Sequence, residues 1–172
     1  MKTLAIALAL STLALAPALP KPVNYSGSWT LDKAQSKGLP NYYQRVRSHR
    51  LLVAQQGLRL DVAVSVDIGN AAPDTMRFVY MMDGRETRTQ TPIRGPGGLT
   101  NVPTVLHAKV NPDRQIQVTI ARDIGNGERT FHAVTVEDWK LSADGKTLTI
   151  HRKDDTPRGA MEADLVFVRS AS

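Results

Sequence analysis

Between Leu58 and Ile68 every second residue is apolar: Leu58, Leu60, Val62, Val64, Val66 and Ile68, with Arg59, Asp61, Ser65 and Asp67 among the residues between them. A period of two marks an extended strand whose alternate side chains point to opposite faces, and alternation this strict implies one buried and one wetted face. Antiparallel sheets have that pattern. Strands of parallel sheets are covered on both sides and read as continuous apolar runs.

The same period recurs along the chain. Trp29 and Leu31 share one side of a short first strand. Leu51 and Val53 share one side of a second, led by Arg45, Arg47 and His49, and this change of character points to a bulge or to a strand leaving the sheet edge. Met76, Phe78, Tyr80 and Met82 alternate in a strand that Asp83-Gly84, a favoured turn dipeptide, would fold back as a hairpin. Residues 92–103, containing Gly95-Pro96-Gly97-Gly98, read as the longest unstructured stretch. Leu106, Ala108 and Val110 then match Ile116, Val118 and Ile120 across the loop 111–115.

The clearest hairpin joins residues 131–141 to 146–153 through Ser142-Ala143-Asp144-Gly145. Setting Leu141 opposite Lys146 puts Trp139 opposite Leu148 and leaves Glu137 diagonal to Arg152 on an otherwise apolar face. Ala163, Leu165, Phe167 and Arg169 share a face of the last strand. About nine or ten strands result, and no amphipathic helix of ten residues or more after the opening apolar run. The expected fold is all-β, an antiparallel up-and-down barrel that removes the exposed edges of so many strands, with a flattened two-sheet sandwich as the alternative.

The chain opens with Met1-Lys2, an uncharged apolar run from Thr3 to Ala16, and Pro17-Ala18. A basic start, a short apolar core and a small-residue exit are the parts of an export signal, too short for a membrane-spanning helix. Residues 1–18 are therefore expected to be a signal peptide, 19–24 a linker and 25–172 one barrel domain that is secreted or periplasmic and has no transmembrane segment after processing. Losing Lys2 lowers the formal net charge from +6 to +5, a balance that suits an anionic envelope surface or an acidic ligand. The chain has no Cys, so disulfides contribute nothing to its stability.

Gly27-Ser28-Trp29 at the start of the first strand resembles the Gly-x-Trp signature of lipocalins. Closer still is the likeness to bacterial secreted lipocalin-like domains, carried by Ser26-Gly27-Ser28-Trp29-Thr30-Leu31-Asp32, by Trp139-Lys-Leu-Ser-Ala-Asp-Gly-Lys-Thr-Leu-Thr149 and by Leu165-Val-Phe-Val-Arg169. The resemblance implies a calycin-type barrel in which Arg169 covers Trp29 at the closed end. A guanidinium over an indole face is a cation–π contact worth about 0.5–2 kcal/mol.

Glu137 and Arg152 are the most informative polar residues, because charges on an apolar face are rarely buried without partners. They form either a structural ion pair or a polar anchor for the head of a small, mostly apolar, anionic ligand. Val62, Phe78, Tyr80, Val118 and Trp139 would line the interior beside them, as ligand contacts or as solid core. The histidines His49, His107, His132 and His151 have no metal-binding spacing and read as surface residues. Arg45, Arg47 and Arg50 with Tyr42 and Tyr43 form a basic and aromatic cluster, read as a solvated face or an envelope contact rather than a nucleic-acid site. There is no nucleophile elbow, no phosphate loop, and no cofactor is implied. The functional expectation is a small-molecule-binding barrel. The alternatives are a solid-cored envelope interaction module and a barrel-type isomerase or hydrolase using Glu137 as base.

Overall fold

The strictly alternating run becomes a strand, Arg59–Asp67, with Leu60 and Val62 buried and Val64 and Val66 half-buried on the same side. It is the third of ten in the computed structural model, which describes residues 23–69, 72–95, 98–125, 130–156 and 159–170. The expected export signal lies outside the described residues. In chain order the strands are β1 (Gly27–Leu31), β2 (Ser48–Gln56), β3 (Arg59–Asp67), β4 (Asp74–Met81), β5 (Asp83–Gly95), β6 (Gly98–Val110), β7 (Ile116–Gly125), β8 (Thr130–Leu141), β9 (Thr147–Thr156) and β10 (Gly159–Arg169). The one helical element described is a 3₁₀ turn, Asn41–Gln44. No helix among the described residues is long and apolar enough to cross a membrane.

All strand pairs are antiparallel, in the order β4-β3-β2-β1-β10-β9-β8-β7-β6-β5. The first and last strands of the chain meet through Trp29↔Arg169, and the sheet curls into a nearly closed barrel. β4 and β5 stand at the two ends of that order. They touch but form no ladder, so a seam runs between them. Asp83-Gly84 turns the chain, with Gly84 at φ 78°, yet the strands it joins do not pair as the expected hairpin. The Met82 N–H bonds to the Leu58 carbonyl, which holds the end of β4 against the β2–β3 turn, while Asp83 already faces Lys109 of β6.

Leu60, Phe78, Val118 and Trp139 meet in one core with Trp29, Leu148 and Phe167. Fully burying one such side chain contributes about 1.5–3 kcal/mol. The ends of the barrel differ. Turns 57–58, 111–115 and 142–146 gather at one end, where Tyr25 packs edge-on to Trp139 and donates from its hydroxyl to the Trp139 carbonyl at 3.1 Å. The guanidinium of Arg169 lies 4.2 Å from the Trp29 ring centroid and donates to the carbonyls of Ser26 and Gly145, as expected for the closed end. A Cβ on Gly27 would collide with Arg169 Nη1, which accounts for the glycine there.

Three local expectations change. The stretch expected to be unstructured is mostly strand: β5 and β6 run on as paired arms to Gly95↔Gly98, because Thr91 and Val102 are buried and give the arms an inner face. β2 shows no bulge, its register with β3 being continuous from Ser48↔Asp67 to Gln56↔Arg59. In the late hairpin Leu141 opposes Leu148, not Lys146, because a longer turn closes through Ser142 N–H to Thr147 O and Gly145 N–H to Ser142 O. A shift of two residues leaves every side chain on its face. It places Glu137 directly across from Arg152.

Candidate functional site

The inner faces of β8 and β9 carry the charged centre of the barrel. Each extra inward position along an alternating strand adds a side chain to the interior, and Leu148, Ile150, Arg152 and Asp154 follow one another in this way on β9. Arg152 donates from Nε and Nη2 to both oxygens of Asp154, at 2.8 and 2.9 Å, and from Nη1 to Glu137 Oε1 at 3.5 Å. Trp139 Nε1 donates to the other Glu137 oxygen at 2.9 Å, and the Thr135 hydroxyl donates to Asp154. Burial works against the charge of Arg152, but Glu137 and Asp154 outweigh it and hold the guanidinium more firmly protonated than usual. Burial likewise opposes ionisation of Asp154, and its bonds to Arg152 and Thr135 reverse the balance and lower its pKa.

A second layer caps this cluster. The 3₁₀ turn sends Tyr43 into the open end, where its hydroxyl lies 3.2 Å from His49 Nδ1. His49 is buried, contrary to the surface role expected of it, because it continues the inward row of Leu51 and Val53 and packs edge-on to Phe167. Burial, with the nearby charge of Arg152, pushes its pKa down to about 4, so the ring that shares a hydrogen bond with the Tyr43 hydroxyl is neutral. His132 and His151 do lie on the outer face, bonded to Asp123 and Asp164.

Arg122 is an inward-facing charge absent from the residues expected at the site. It is the next inward position after Ile116, Val118 and Ile120, so extending that alternation by two residues would have found it. The side chain is half-buried, and its Nε donates to the Thr91 hydroxyl at 3.1 Å, which in turn bonds Thr104 at 2.6 Å. Burial and the charge of Arg152 lower its pKa, although Tyr80, Glu137 and Asp154 pull the other way. Arg122 forms no ion pair among the described residues. The Tyr80 hydroxyl, 3% exposed as a residue, makes no hydrogen bond to any described residue, and burial, with the Glu137 charge, raises its pKa well above the usual range.

The chain matches no protein-family model, and no curated protein matches it.

Val62, Phe78, Tyr80, Val118 and Trp139 all sit in the packed core, none more than 8% exposed. Beside Arg152 and Asp154 a cavity of about 80 Å³ opens under Tyr42 and Tyr43. That is far below the roughly 300–1,000 Å³ of ordinary ligand pockets. A larger concavity, about 400 Å³, lies outside the barrel between Arg88, Gln90, Pro103, Asp123 and His132. It opens where the β6–β7 ladder stops at Thr104↔Arg122, since Pro103 has no N–H with which to continue it. Among the described residues no three His, Asp or Glu side chains are grouped to hold a metal ion.

Proposed function

We propose that this chain is an exported, lipocalin-like barrel that binds a small amphiphilic molecule with an anionic head in the wide end of its interior. The observation that carries the reading is Arg122, a half-buried guanidinium whose hydrogen-bond partner is the neutral Thr91. Glu137 and Asp154 act on Arg122 only through space, both being hydrogen-bonded to Arg152, and an arginine fork that bonds no acid suits an incoming carboxylate or sulfonate. Arg152, the anchor expected from the sequence, is already engaged by Asp154 and Glu137. The guanidinium that bonds no acid among the described residues therefore sits on β7, two strands further round the barrel. Half-buried Val64, Val66 and Met76 on the inner faces of β3 and β4 offer an apolar wall for the rest of such a ligand.

The test is a fluorescence titration with anilinonaphthalene sulfonate, an apolar anion, set against the uncharged N-phenylnaphthylamine. Arg122→Gln should weaken the anion about tenfold or more and the neutral probe much less. Equal affinity of wild type and Arg122→Gln for the anion, or no probe binding at all, overturns the reading. The small volume beside Arg152 favours a second one, a solid-cored barrel that acts through its surface, and the latter result would support it.

A further inference from the structure

Three inner-face rows end on apolar residues at the rim, beyond the buried core. On β3 the row of Leu60, Val62, Val64 and Val66 runs on to Ile68, which is 37% exposed. On β8 the row behind Ala133 reaches Phe131, and on β10 the row behind Ala163 reaches Met161, both exposed. All three lie at the open end, and Tyr42 of the 3₁₀ turn and Leu99 of β6 add exposed apolar surface there. A rim that served only to meet water would be polar at these positions.

Basic residues stand beside this lip. Arg47 lies across Gly69, next to Ile68, and Arg45 closes the 3₁₀ turn by bonding the Tyr42 carbonyl. Both arginines are exposed and neither forms an ion pair among the described residues. The closed end also exposes Leu58, Met81 and Val110, and both ends carry paired charges, Arg85 with Asp83 at one and His132 with Asp123 and Glu162 with His151 at the other. We propose that the open rim docks on an anionic phospholipid bilayer, the apolar lip entering the headgroup layer while Arg45 and Arg47 meet lipid phosphates. Apolar tips with adjacent cations are the combination that binds such interfaces. The positive net charge of the chain acts in the same direction. The proposal does not depend on anything entering the barrel.

The experiment is co-sedimentation of the processed chain, without the expected export signal 1–18, with vesicles of phosphatidylglycerol and phosphatidylcholine in equal parts, and with phosphatidylcholine alone. Two double variants are compared, Phe131→Ser with Met161→Ser at the rim and Leu58→Ser with Val110→Ser at the closed end. The rim variant should bind the anionic vesicles about tenfold less, and the closed-end variant like wild type. Arg45→Ala with Arg47→Ala should reduce the preference for anionic over neutral vesicles. Equal effects at the two ends, an unaffected rim variant, or indifference to lipid charge overturns the proposal. So does concentration-dependent self-association that the rim variant abolishes while vesicles bind no protein, which would assign the lip to a second copy of the chain.

Discussion

Glu137 stands opposite Arg152 across the β8–β9 ladder, and each has a second partner in the same interior, Trp139 for the acid and Asp154 for the base. Two acids and one arginine thus share one polar knot in an apolar barrel. Removing the cation leaves both carboxylates facing low-dielectric surroundings.

Arg152→Ala should therefore destabilise the protein by about 3 kcal/mol, the low end of the range for breaking a buried pair because a third of this side chain is exposed. Glu137→Gln keeps an acceptor for Trp139 Nε1 and should lose less. Urea unfolding of the two variants beside wild type checks the order. A loss from Glu137→Gln as large as that from Arg152→Ala would contradict the sharing of Arg152 between two acids, since the isosteric change removes only the Glu137 charge.

Arg169→Ala should lose about 1–2 kcal/mol, from its place over Trp29 and its bonds to two carbonyls. Gly27→Ala should lose more than about 1 kcal/mol, since Gly27 has φ 150° and its new methyl would strike Arg169. In the double variant the methyl no longer meets the guanidinium, so the combined loss should be clearly less than additive. Strict additivity in a double-mutant cycle would show that the two positions do not touch.

Acid should weaken the fold through His49. Its folded pKa of about 4 lies below the ordinary 6.5, so the unfolded chain takes up the proton first as pH falls. The stability held by the neutral ring is complete above pH 6.5 and drains away between pH 6.5 and 4. From that gap it amounts to about 3 kcal/mol. His49→Gln should flatten the stability profile across this window, and an unchanged slope would count against a buried neutral ring.

Hydrogen exchange should locate the seam. Backbone N–H groups of β8 and β9 are laddered on both sides, whereas β4 and β5 each have one unladdered edge. Outward-edge amides of β4 and β5 should exchange well before those of the late hairpin. Uniform protection around the barrel would contradict the strand order.

Strand existence and facing were legible in the sequence because a period of two records which side is buried. Leu106, Ala108 and Val110 fall against Ile120, Val118 and Ile116 as the alternation requires. Pairing across turns was less legible. A shift of two residues between β8 and β9 changes no face, so the pattern could not choose between Glu137 opposite Ile150 and Glu137 opposite Arg152. The arms of β5 and β6 were hidden by prolines and glycines that usually mark loops, although Thr91 and Val102 supply the inner face. Arg122 and Asp154 escaped notice because each extends an apolar row with a charge, where a strand is ordinarily judged to have ended. His49 was misplaced because burial of an imidazole leaves no trace in spacing.

The unladdered boundary between β4 and β5 has a mechanical meaning. A tube stitched along every seam can change its girth only by tearing stitches, but here the wall is a coiled ribbon whose two free margins lie side by side. Widening the mouth then requires only that β4 and β5 draw apart, while each strand keeps its laddered neighbour. Expansion of this kind is a slide of margins rather than an act of local unfolding.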